Sequence, residues 1–104
     1  MATAVREYEL EILTGPREDV EARLNLFSGH ERFPAALPVA RISFYGPQVT
    51  LERDFVDRGE ILELHLHTGM LSSVLDLLHS EKPLFVELTD QRGRLTTTAE
   101  DSLR

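Results

Sequence analysis

The chain has 104 residues, 41% hydrophobic and 28% charged, with 18 acidic against 11 basic side chains and a formal net charge of −7. That length supports one core and excludes two, and so negative a charge repels phosphate backbones and anionic lipid surfaces at long range. Cysteine is absent, which excludes disulfides and thiol chemistry and favours an intracellular setting.

Val5 to Leu13 alternates, with Tyr8, Leu10 and Ile12 on one face and Glu7, Glu9 and Glu11 on the other. This is the pattern of a half-buried strand. A row of like charges repels itself unless a neighbour supplies bases or the strand lies at an edge, so an edge position is expected. Thr14-Gly15-Pro16 stops the strand. Pro16 suits a first helical position, and Glu18 and Asp19 suit a positive helix N-terminus. Val20, Leu24 and Phe27 follow at helical spacing before Gly29, which predicts a helix over Pro16–Ser28. Gly29 to Pro38 reads as the longest irregular connection, with His30-Glu31 inside it.

Strand character returns at Val39–Tyr45, with Ala40, Ile42 and Phe44 inward. Gly46-Pro47 marks a turn, Val49–Val56 a further strand facing inward through Val49, Leu51 and Phe55, and Asp57-Arg58-Gly59 a second turn. Glu60–Thr68 alternates strictly, Leu62, Leu64 and Leu66 against Glu63, His65 and His67, the pattern of a strand with one wet face. The three strands are expected to form an antiparallel meander. A second helix is predicted over Met70–Ser80, burying Met70, Val74 and Leu77 or Leu78, with His79 in its last turn and Pro83 beyond it. Leu84–Thr89, a turn at Asp90-Gln91-Arg92-Gly93, and Arg94–Thr98 form a closing hairpin.

The order β-α-β-β-β-α-β-β implies an α+β fold in one domain over residues 1–104, with residues 1–4 and 99–104 frayed. Its form is a mostly antiparallel sheet of five to six strands with two short helices, or a small OB-like barrel with its helix between the third and fourth strands. No apolar stretch approaches the roughly 20 residues that span a bilayer. Residues 1–30 lack a basic start followed by an apolar run, so a cytoplasmic location without membrane contact is expected.

His65 and His67 project from one strand face and form a candidate metal pair, given carboxylates from neighbouring strands; an ordinary solvated face is the competing reading. Arg41, Tyr45, Phe85, Arg92 and Arg94 would supply the cations and aromatic rings of a single-strand stacking platform if the fold were an OB-like barrel. The competing reading packs Tyr45 and Phe85 beneath a helix or in a subunit contact. No glycine-rich phosphate loop, Gly-x-Ser-x-Gly elbow or His-Glu-x-x-His stretch is present, and no cofactor is implied. The expectation is a non-enzymatic domain that binds another protein or itself, as a homo-oligomer. An OB-type module for single-stranded nucleic acid is the alternative, disfavoured by charge.

Overall fold

The computed structural model describes residues 3–14, 19–29, 37–57, 60–79 and 84–96. Their alternating patterns build β1 (Thr3–Val5), β2 (Glu7–Ile12), β3 (Val20–Phe27), β4 (Ala40–Tyr45), β5 (Phe55–Val56), β6 (Leu62–His67), β7 (Leu84–Thr89) and β8 (Arg92–Thr96). One helix, α1 (Leu71–Leu78), follows a 3-10 turn at Thr68–Met70. The strands form a five-stranded sheet ordered β2-β3-β4-β6-β5 and a three-stranded sheet ordered β1-β7-β8. The fold is α+β and dominated by strands. No described helix is long and apolar enough to cross a membrane.

The N-terminal strand is shared between the sheets. Thr3–Val5 pairs with β7, while Glu7–Ile12 pairs with β3, so the chain changes sheets at Arg6. Residues 3 and 4, expected to fray, are held by this pairing; residues 97–104 lie outside the described residues. The core lies between the sheets. Ala22, Leu24 and Leu26 from β3, Ala40, Ile42 and Phe44 from β4, and Leu64 from β6 meet Val5, Leu84 and Val86 of the smaller sheet and Val74 of α1. Leu62, Leu66, Leu77 and Leu78 pack around this cluster. The inward leucine row of β6 and the covering role of α1 therefore follow the sequence pattern.

Several expectations are corrected. The helix predicted over Pro16–Ser28 is the strand β3; residues 15–18 lie outside the described residues. Ala22, Leu24 and Leu26 share one face at period 2 and are 2%, 0% and 0% exposed, while a bulge between Val20 and Ala22 sets Val20 opposite Tyr45. Phe27 is buried on the opposite face, so apolar groups on both sides of a central strand mimic a helical stripe.

The meander is also replaced. β4 and β6 pair in parallel, Ile42 opposite Leu64, and β5 lies outside β6 at the rim of the sheet. The turn at Gly46-Pro47 is present, with the Val49 N–H donating to the Gly46 carbonyl. Of Val49–Val56 only Phe55 and Val56 are strand, and both are exposed. Glu52, Arg53 and Asp54 stand in succession and break the alternation that an inner strand needs, whereas β6 offers three leucines. β6 takes the place beside β4. Arg58 and Gly59 lie outside the described residues, but the Glu60 N–H donates to the Asp57 carbonyl as a turn there requires.

Finally, the sheets do not close into an OB-like barrel, and one helix is present among the described residues instead of two. Met70, expected to be buried, lies in the 3-10 turn and is exposed. The closing turn is tighter than predicted. Asp90 and Gln91 alone form it, with φ of 53° and 64°, the two left-handed residues of a two-residue hairpin loop. Arg92 and Gly93 consequently enter β8.

β6 and β8 touch without pairing, at Gly93. A Cβ there would overlap the Leu64 side chain. Gly93→Ala should therefore destabilise the fold by about 1–3 kcal/mol, the range for overpacking a core. In a Leu64→Ala background, itself lower by about 2–5 kcal/mol, the same change should cost far less. Urea unfolding of the four-member cycle measures the coupling; additive effects would contradict the contact.

Candidate functional site

Asp54 lies at the junction of the sheets. Its Oδ1 accepts from the His65 main-chain N–H at 2.9 Å, and its Oδ2 accepts from the Gly93 N–H at 2.7 Å. The His65 Nδ1 lies 3.3 Å from the same Oδ1. β5 pairs with β6 only as far as Glu63, so Asp54 takes over on the rim of β6 where the ladder stops. The two side chains are 15% and 7% exposed. Phe55 stacks on the His65 ring with centroids 5.9 Å apart, and Tyr45 tilts against it at the same separation.

The face expected to be wet is thus covered at His65. The His67 Nε2 donates to the Val49 carbonyl at 2.8 Å, which places that proton on Nε2. Both histidines of the candidate metal pair are engaged by the chain between β4 and β5. Among the described residues, no group of three His, Asp or Glu side chains is gathered as a metal ion requires. His30 and Glu31 lie outside the described residues.

The five residues of the expected stacking platform divide between the sheets. Arg41 and Tyr45 stand on β4; Phe85 is on β7, and Arg92 and Arg94 are on β8. Arg41 donates through Nε to the Asn25 Oδ1 and through Nη1 to the Glu63 Oε2, both at 3.1 Å. Arg94 stands 3.3 Å from Glu87. Tyr45 and Phe85 are half-buried. No single face brings the five together.

A more coherent surface runs along β2. This strand ends the five-stranded sheet, and no described strand pairs with its outer rim. Tyr8, Leu10 and Ile12 continue the core face, opposite Leu26, Leu24 and Ala22 of β3, but reach past the covering layer. Leu10 is 36% and Ile12 64% exposed. The Tyr8 hydroxyl is anchored 2.7 Å from the His79 Nε2, at the end of α1. On the other face, Glu9 stands opposite uncharged Asn25, and Arg23 lies 3.9 Å from Glu11. This acidic row has no base opposite its Glu9 on β3. Its edge position was readable from those repeated glutamates; the Asp54 junction had no local signal, because its partners are far away in sequence.

Burial pushes the Glu63 carboxyl above its ordinary value of 4.5, the Arg41 guanidinium opposes that shift, and a hydrogen bond with Asp57 adds to it. Burial likewise raises the Tyr45 phenol, aided by the charge of Glu52. The folded chain therefore holds the Glu63 proton more firmly than the unfolded chain does. The stability this contributes is full below pH 4.5 and is lost as pH rises through the higher folded-state value. Relative to wild type, Glu63→Gln should gain stability as pH rises across that window. Urea midpoints from about pH 4 to pH 8, a range that begins near the ordinary carboxylate value, check this; a pH-independent difference would contradict it.

Compared with known proteins, the chain matches no family model, no curated protein and no solved structure.

Proposed function

We propose that this chain is a protein-interaction domain that captures an extended, basic segment of another protein along β2. The observation that carries this reading is the outer rim of β2, with which no described strand pairs, flanked by protruding Leu10 and Ile12 on one face and by Glu9 and Glu11 on the other. An incoming strand would complete the main-chain hydrogen bonds that an edge leaves open, while alternate side chains set specificity. Its arginines or lysines would face Glu9 and Glu11; its apolar residues would cover Leu10 and Ile12. Net charge of −7 speeds the encounter with a basic partner.

Self-association through this edge is less favourable. Two β2 strands paired antiparallel, with their apolar faces together, set glutamates opposite glutamates in any well-overlapped register. Of the other edge strands, β5 spans only Phe55–Val56 and β1 only Thr3–Val5, while β8 is tied to Asp54 through the Gly93 N–H.

The test is a nitrogen-edited NMR titration with a strand-forming peptide of about ten residues, alternating arginine and valine, a length suited to one strand. The expected result is saturable shifts concentrated at Glu7–Ile12, weakening as salt rises, and lost in the Glu9→Lys/Glu11→Lys double variant. No binding, shifts away from β2, or equal binding of a glutamate–valine peptide would overturn the reading. A dimer of the free chain, abolished by Ile12→Asp in light scattering, would show that a second copy fills the edge instead.

A further inference from the structure

Protein interiors pack to a density of about 0.74, with few voids larger than a water molecule. A cleft of about 220 Å³ nevertheless lies between β6, α1 and β8. Leu64, Leu66, Val74, Leu77 and Leu95 wall it, and exposed Met70 stands at its rim. It occupies the place where β8 would have to lie against β6 for the sheets to close. Gly93 touches Leu64 and Asp54 there, and α1 roofs the space beside this contact.

The polar groups of the lining define what it can hold. Asp54 is at the cleft, but each of its oxygens already accepts a main-chain N–H. It would repel an anion without offering a cation a free carboxylate. Arg94 and His65 also line the cleft; Arg94 is held by Glu87, and the His65 Nδ1 lies 3.3 Å from the Asp54 Oδ1. Ser73 is exposed and carries a hydroxyl that can meet one polar atom of a guest. An apolar cavity of about 150 Å³ is enough to hold benzene, so this one has room for a ring with a substituent or a fused second ring.

We propose that this cleft is a binding site for an uncharged aromatic molecule of one or two rings with a single hydrogen-bonding group. The walls bury the ring, the polar group meets Ser73, and the thioether of Met70 adapts to the guest at the rim. This site is separate from β2 and does not depend on the reading of that edge.

Indole is the probe, and benzoate its charged counterpart. In a methyl NMR titration of the wild-type chain, indole should give saturable shifts at Leu64, Leu66, Val74, Leu77 and Leu95, leave Leu10 and Ile12 unmoved, and raise the Tm. Benzoate at equal concentration should do neither. Leu77→Phe, which fills the cleft, should remove the saturable response. Ser73→Ala should keep the fold and weaken indole several-fold. Shifts that rise linearly to the solubility limit, shifts scattered over the surface, or an equal response to benzoate would overturn the proposal.

Discussion

The carboxylate of Asp54 is the interaction on which the closure of this fold depends. On one side the two sheets are joined by the chain itself, where β1 runs through Arg6 into β2. On the other side no ladder among the described residues connects them. There Asp54 stands between the rims of β6 and β8, one oxygen on the His65 N–H and the other on the Gly93 N–H. A buried donor left without an acceptor costs about 1–3 kcal/mol, and a small domain has only about 5–15 kcal/mol in total. Two such donors meet in one side chain. Charge-assisted bonds to main-chain amides are what offset the desolvation of a carboxylate that is 15% exposed.

Both proposed surfaces follow from this construction. Because the rims of β6 and β8 touch at Gly93 and share no described ladder, space remains beside Gly93, and α1 roofs it to leave the apolar cleft. Because the N-terminal strand must turn from one sheet to the other, its second half becomes a rim, with Leu10 and Ile12 beyond the covering layer. The tie between Tyr8 and His79 anchors that rim to the end of α1, and no described strand pairs with it farther along. The outer face of the larger sheet is polar yet well packed. Asn25, Arg41 and Glu63 form one row across it, and Phe55 and Tyr45 cover His65 nearby.

Strands with one apolar and one polar face were legible in the sequence. β2, β4, β6 and β7 each show it, and the glutamates of β2 also announced an edge. β3 was misread because a central strand buries residues on both faces, so Phe27 opposite Leu26 filled out a false helical stripe. The parallel pairing of β4 with β6 had no local signature. It is decided by competition, in which Leu62, Leu64 and Leu66 outbid a segment interrupted by Glu52, Arg53 and Asp54. The same interruption hid the junction: Asp54 looked like an outward residue of a strand, and its partner Gly93 like part of a turn. His65 was placed on the correct face, but the chain that covers that face comes from another part of the sequence.

Native-state hydrogen exchange at the His65 and Gly93 amides, in wild type and in Asp54→Ala, tests the clamp most directly. If Asp54 joins the sheets, both wild-type amides exchange nearly as slowly as the β4 ladder amides, and in the variant both accelerate together beyond any loss of global stability. Rapid exchange of either amide in the wild-type chain, or rates unchanged by the substitution, would contradict the account.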